Sequence, residues 1–124
     1  MPFHDFRDYH ERLQLQNPKR SFRLHSIDRA GIIIPVGHHL TIAKQHHCVI
    51  QRISCAAASL NVSPRIEVPH NFFLVILGSS EEIGATVVRR DGDQLLCKFN
   101  MFLDAGFLQG LVGTASIEVE PISG

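Results

Sequence analysis

Hydrophobic residues follow two different periods along this chain. Near its start, Phe6, Tyr9 and Leu13 fall on one stripe at helical spacing. Pro18 then predicts the end of the helix, because the residue before a proline disfavours helical backbone. The pattern therefore predicts an N-terminal helix or arm over residues 1–18.

Beyond Pro18 the chain consists of short β-type runs that are separated by turn residues. The runs are residues 32–34, 40–43, 47–53, 58–62, 72–77, 83–90 and 94–99. Between the last two stands Asp91-Gly92, the strongest hairpin signal, because this dipeptide accepts the positive φ angles of a tight turn. Such spacing favours an all-β barrel or sandwich. The apolar residues within 100–111 predict a short C-terminal helix at one mouth of a barrel.

Composition limits the class of protein. The chain has 124 residues, of which 44% are hydrophobic and 19% charged, as expected for one folded domain. Acidic and basic residues balance at 12 each, so no global field attracts a nucleic-acid polymer. Neither a signal-peptide core nor a membrane-length apolar run is present, and Cys48, Cys55 and Cys97 have no metal-type spacing. We therefore expect a cytoplasmic protein.

Eight histidines include two adjacent pairs, His38-His39 and His46-His47. If residues 38–47 form a hairpin, one imidazole from each pair could meet its neighbour across the strands and share a metal or sense pH. Exposed histidines at strand ends are the alternative, and we expect no metal site. No catalytic motif surrounds Ser54, so we expect no enzyme and no cofactor.

Three segments, in order, resemble the PilZ domain family. They are Cys48-Val-Ile-Gln-Arg-Ile-Ser54 with Ala57-Ala-Ser-Leu60, Val68-Pro-His-Asn-Phe-Phe-Leu-Val75, and Ala85 to Phe99. PilZ domains are bacterial modules that bind the second messenger cyclic di-GMP. The resemblance covers about residues 19–99. It implies a small six-stranded antiparallel β-barrel domain over residues 19–124, with a flanking N-terminal helix or arm and a short C-terminal helix.

The resemblance also implies where a ligand would bind. PilZ domains grip the dinucleotide with Arg-x-x-x-Arg on an arm and Asp/Asn-x-Ser-x-x-Gly on a loop. The matching positions are Lys19, Arg20 and Arg23 on the arm, and Arg52, Ser54 and Ala57 on the loop. Lysine replaces the first arginine, Arg52 replaces the acceptor and Ala57 replaces the glycine. An arginine cannot supply an acceptor, so we expect weak or lost binding.

The sequence therefore predicts a PilZ-like adaptor in bacterial second-messenger or motility signalling that acts on a protein partner. The alternatives are a working cyclic di-GMP receptor that uses Arg20, Arg23, Arg52 and Ser54, and a metal- or pH-responsive module that uses the histidine pairs. The partner surface would include the stripe around Phe6 and the apolar segment around Phe102, unless both pack internally. The partner, the regulated output and the oligomeric state are not specified by the sequence.

Overall fold

The computed structural model describes residues 4–36 and 45–119, with side chains for residues 6–36 and 45–113. Helix α1 spans His4–Gln16 and helix α2 spans Ala105–Val119. Between them lie β1 (His25–Pro35), β2 (His46–Ile53), β3 (Ala57–Asn61), β4 (Asn71–Ile76), β5 (Ile83–Asp91) and β6 (Gln94–Phe99).

The six strands form a closed antiparallel barrel in the order β1-β2-β3-β6-β5-β4. Closure occurs where β4 pairs with β1, from Gly31 opposite Ile76 to Pro35 opposite Phe72. The predicted all-β barrel with a helix at each end of the chain is therefore confirmed. Because the sheet closes on itself, each strand has a neighbour on both sides, although residues 25–29 of β1 and 87–91 of β5 extend past their pairing with β4.

Local sequence explains most of these elements. In β4, alternate residues Phe72, Leu74 and Ile76 are fully buried, as period-2 strand geometry requires. The predicted β5–β6 hairpin forms, and Gly92 has a φ of 65° in its turn. Strand β1 is longer than the predicted 32–34 run, and its ladder with β2 shifts register at a bulge where Asp28 has a φ of 44°.

The remaining boundaries differ in part from the prediction. Helix α1 ends at Gln16, just before Asn17-Pro18, as predicted. Helix α2 begins at Ala105 rather than at residue 100, because the Asp104 carboxylate accepts a hydrogen bond from the Phe107 N–H at 3.0 Å and caps the helix there. The predicted 40–43 strand lies outside the described residues. No helix in the described ranges is long and apolar enough to cross a membrane.

One end of the barrel, which we call the helix end, is the end that lies next to α2. It is formed by residues 17–24 before β1, the β2–β3 loop 54–56, the β4–β5 loop 77–82 and the segment 100–104 after β6. Leu103 and Leu111 are buried in the main core there, and Phe107 packs against it, so α2 covers this end. Cys48, Cys55 and Cys97 are buried, free thiols.

Candidate functional site: the Ser54 loop and the helix over it

The loop between β2 and β3 is organised around Ser54, one of the predicted ligand positions. Its backbone N–H donates to the Ala57 carbonyl at 2.9 Å. Its hydroxyl oxygen accepts hydrogen bonds from the N–H groups of Ala56 at 3.0 Å and Ala57 at 3.1 Å. Ser54 is 0% exposed, so its hydroxyl does not face solvent.

The third partner of the Ser54 hydroxyl comes from α1. His10 Nε2 lies 2.7 Å from Ser54 Oγ, and His10 Nδ1 lies 2.8 Å from the Phe6 carbonyl oxygen. A carbonyl only accepts, so Nδ1 carries the hydrogen and Nε2 of the neutral ring accepts from the hydroxyl. Every hydrogen-bonding position of this imidazole and hydroxyl is then occupied, which fixes α1 to the loop.

Burial favours the neutral imidazole that this network needs. Removal of His10 from water lowers its pKa, and the hydrogen bond to the Phe6 carbonyl offsets only part of this effect. His10 is 8% exposed, at the floor of a cleft of about 390 Å³ between α1 and the barrel. Arg7, Glu11 and Arg52 line the same cleft and are the charged groups beside it.

The serine–histidine geometry has distances suited to proton transfer, yet it does not present a nucleophile. Ser54 Oγ is buried and already accepts from two backbone amides, so its lone pairs are not directed at a substrate. The arrangement is that of a docking contact between an element and the barrel wall.

Apolar packing supports the same contact. Phe6 is 4% exposed and forms a small cluster with Ala57 and Leu96, outside the main core. Their strand neighbours Ala58, Leu95 and Cys97 point into the main core, so Ala57 and Leu96 face outward and α1 lies across the outer wall of β3 and β6. The Arg52 guanidinium lies 5.9 Å from the Phe6 ring centroid.

The rest of the predicted stripe on α1 also packs internally. Tyr9 and Leu13 are half-buried and pack against the main core. Leu15 is 83% exposed and stands apart from this face. The stripe is therefore an intramolecular contact, and the surface predicted to include it is not available for a partner in this arrangement.

Arg20 lies in the arm, by which we mean residues 17–24 between α1 and β1, and it contacts neighbours other than the Ser54 hydroxyl. Its guanidinium lies 4.7 Å from the centroid of Phe102, and its carbonyl accepts from Gln14 Nε2 at 2.9 Å. Arg20 also interacts with the Cys55 thiol, which partly offsets the rise in the Cys55 pKa caused by burial. Cys55 Sγ in turn contacts the Ser21 carbonyl at 3.4 Å.

The structure thus brings together only some of the predicted ligand positions. Ser54 and Ala57 share hydrogen bonds, and Arg52 meets α1 above them. Lys19 and Arg23 are exposed on the arm, where the Arg23 backbone N–H donates to Ser21 Oγ at 3.4 Å.

Alanine at position 57 causes no backbone strain. Asp28 is the one non-glycine residue with positive φ in the described part of the chain, so Ala57 has ordinary strand geometry as the first residue of β3. The glycine of the family motif is not needed here for conformation. Instead, Ala57 contributes its methyl group to the contact with Phe6.

The histidine pairs are placed only in part. His38 and His39 lie outside the described residues. His46 and His47 begin β2, where they pair with Ile33 and Ile32, and His47 is exposed while His46 is half-buried. Adjacent strand residues point to opposite faces. Within the described ranges, no group of three or more potential metal ligands is found.

Sequence reasoning missed His10, which forms the central contact of this site. The available signal was its position four residues after Phe6, one helical turn along the predicted stripe. A polar residue next to an apolar stripe is often solvated, and nothing local indicates a serine 44 positions away as its partner.

The fold and site together define a small closed β-barrel with a helix fixed over its β2–β3 loop. No family model, curated protein or solved structure matches the chain.

Proposed function

We propose that this chain is a PilZ-like signalling adaptor that acts on a partner protein in bacterial second-messenger or motility regulation, with weak or lost cyclic di-GMP binding. The observation that carries the proposal is the buried hydrogen bond between His10 and Ser54. The loop that should hold the nucleotide is instead held by a helix of the same chain.

The substitutions in the motif support the same conclusion. Arg52 stands where a guanine acceptor is expected, and its guanidinium lies near the Phe6 ring of α1. Ala57 stands where glycine is expected, and its methyl group is covered by Phe6. Both departures from the ligand motif are therefore contacts that favour the docked helix. A nucleotide would have to displace α1, and would then meet a donor in place of an acceptor.

Calorimetric titration of the full chain with cyclic di-GMP tests the proposal. We expect no saturation at micromolar cyclic di-GMP. Saturable micromolar binding that is lost in Arg23→Ala, but kept in the control Arg65→Ala, would contradict the proposal. Arg65 is an exposed arginine at the other end of the barrel, so it matches the charge change.

The second candidate is a cyclic di-GMP receptor that α1 gates. It is favoured by the exposure of Arg20 and Arg23 and the partial exposure of Arg52, which leaves guanidinium groups accessible beside the loop. Here Phe6→Ala would weaken helix docking and raise the affinity for cyclic di-GMP. The adaptor proposal predicts that this variant still gives flat heats, so one titration separates the two.

A further inference from the structure

A groove of about 590 Å³ opens at the helix end, between the β4–β5 loop and the segment after β6. Its apolar lining consists of Phe73, Ile83, Met101, Phe102, Leu103 and Phe107. Met101 is 80% exposed and Phe102 is 37% exposed, although side chains of this kind usually pack away from water. The groove therefore presents apolar surface that the described part of the chain does not cover.

The charged residues that line this groove are all acidic, while the Arg20 guanidinium lies beside it, 4.7 Å from the Phe102 ring centroid. Its ionisable lining residues are Glu81, Glu82 and Asp104, which are exposed, and no lysine or arginine is among the lining residues. Asp104 also caps α2, so its carboxylate already interacts with the N-terminus of that helix. Glu81 and Glu82 remain as a negative rim on the β4–β5 loop.

The groove wall is held in a fixed shape. The Asn100 N–H donates to the Gly84 carbonyl at 2.9 Å, and Thr86 Oγ1 donates to Asn100 Oδ1 at 2.9 Å. A side chain at position 84 would lie 2.9 Å from Asn100 Nδ2, so glycine allows this close approach. A wall that is ordered before binding loses little entropy when a ligand is bound.

Barrel closure restricts how a partner can bind. Every described strand has a neighbour on both sides over at least part of its length, so the sheet offers a partner no full-length free edge for strand addition. Side-chain insertion into a groove remains, and the groove chemistry determines what fits: apolar side chains against the floor and positive charge against the rim.

We propose that this groove docks a short segment of a partner protein that carries one or two apolar anchors flanked by lysine or arginine. The inference rests on the proposed adaptor function and names the chemistry of its partner. Apolar contact supplies affinity, and the two rim glutamates supply preference for basic segments and sensitivity to salt.

Selection from a phage-displayed random peptide library, with the full chain as bait, provides the probe. We expect enriched peptides in which lysine or arginine flanks large apolar residues. Synthetic copies should bind about tenfold or more weakly to Glu81→Lys/Glu82→Lys, because attraction at the rim becomes repulsion. The control Glu67→Lys/Asp93→Lys makes the same charge change at exposed positions of the opposite end and should bind like the wild type.

Met101→Gln tests the apolar part at a position so exposed that folding is not at risk, and we expect a similar loss of affinity. Hydrogen exchange of the complex should show protection in residues 100–107. The proposal is overturned if the selected peptides lack basic residues, bind all variants equally, protect another surface or merely reproduce self-association of the chain. If the peptide test fails while cyclic di-GMP gives flat heats, only the proposal that the groove docks a partner is rejected. If cyclic di-GMP binds saturably, the proposed adaptor function is rejected instead.

Discussion

At the scale of single residues, the site depends on which nitrogen of His10 carries a hydrogen. Ser54 donates to His10 and accepts from two amides, while His10 donates to the Phe6 carbonyl. A protonated imidazole would have a hydrogen on both nitrogens, so the Ser54 hydroxyl would face a third donor and keep only the Ala57 carbonyl oxygen, at 3.5 Å, as an acceptor. Docking of α1 is thus coupled to the neutral state of one histidine.

This coupling predicts a pH dependence. Because burial lowers the pKa of His10 in the folded chain, the unfolded chain binds more protons as the pH falls below the ordinary histidine value of about 6.5. The stabilisation is complete above that value and is lost progressively as the pH falls towards the lower folded pKa. We therefore expect the urea midpoint to fall more steeply from about pH 7.5 to about pH 5.5 in the wild type than in His10→Gln, as followed by circular dichroism.

The comparison isolates His10 because both proteins retain the other titrating groups. The pKa of His25 is also lowered, by burial and by the charge of Arg23. His25 therefore adds a pH dependence of stability of the same sign to the wild type and to His10→Gln. Equal pH slopes in the two proteins would mean that α1 docking does not depend on the His10 charge.

At the scale of elements, strands were easier to predict than their partners. The continuous apolar run of β4 and the Asp91-Gly92 turn are local signals, and both elements form where they were expected. The stripe on α1 predicted a buried face but not the surface that covers it, since β3 and β6 lie far along the sequence. The strand pattern likewise predicted the turn at Ser54, but the contact of that turn with His10 arises only from tertiary packing.

Barrel closure at β1 gives a prediction about Gly31. A methyl group there would overlap Cδ1 of Ile50 and lie 3.0 Å from the Val75 carbonyl oxygen. The tip of the Ile50 side chain can rotate, but the carbonyl belongs to β4, which is paired with β1 at this point. We expect Gly31→Ala to lower the free energy of unfolding by about 1–3 kcal/mol, measured from urea midpoints.

Gly110→Ala is the matched control, because a methyl group there would meet nothing within 4 Å in helix α2. Alanine has the higher helix propensity, so this variant should be more stable by about 0.5–1 kcal/mol. If Gly31→Ala is as stable as the wild type, the close approach of β1 to β4 and to Ile50 is not a constraint on closure.

At the scale of the whole molecule, two cooperative units are expected. The barrel encloses the main core, whereas α1 is attached to its outside through the small cluster of Phe6, Ala57 and Leu96, the contact with Ser54, and the half-buried Tyr9 and Leu13. An element held by few buried contacts opens at lower free energy than the core it covers. Release of α1 without unfolding of the barrel is the motion that the gated receptor would use.

The alkylation rates of the three cysteines distinguish opening of α1 from unfolding of the barrel. Cys48 and Cys97 belong to the barrel strands, and burial raises the pKa of each thiol to about 12, so both stay unreactive while the barrel is folded. Cys55 lies in the Ser54 loop, under the arm that follows α1. We expect Phe6→Ala to accelerate alkylation of Cys55 by roughly tenfold or more, while Cys48 and Cys97 keep the wild-type rate.

Iodoacetamide labelling with mass spectrometry of each cysteine measures these rates. Leu15→Ala is the control, because it truncates a leucine of the same helix that is 83% exposed and should leave all three rates unchanged. If Phe6→Ala accelerates the three cysteines together, α1 and the barrel open as one unit, and the loop cannot be uncovered in a folded chain. Selective acceleration of Cys55 instead means that the folded barrel persists with its β2–β3 loop exposed, which is the state that a gated nucleotide site requires.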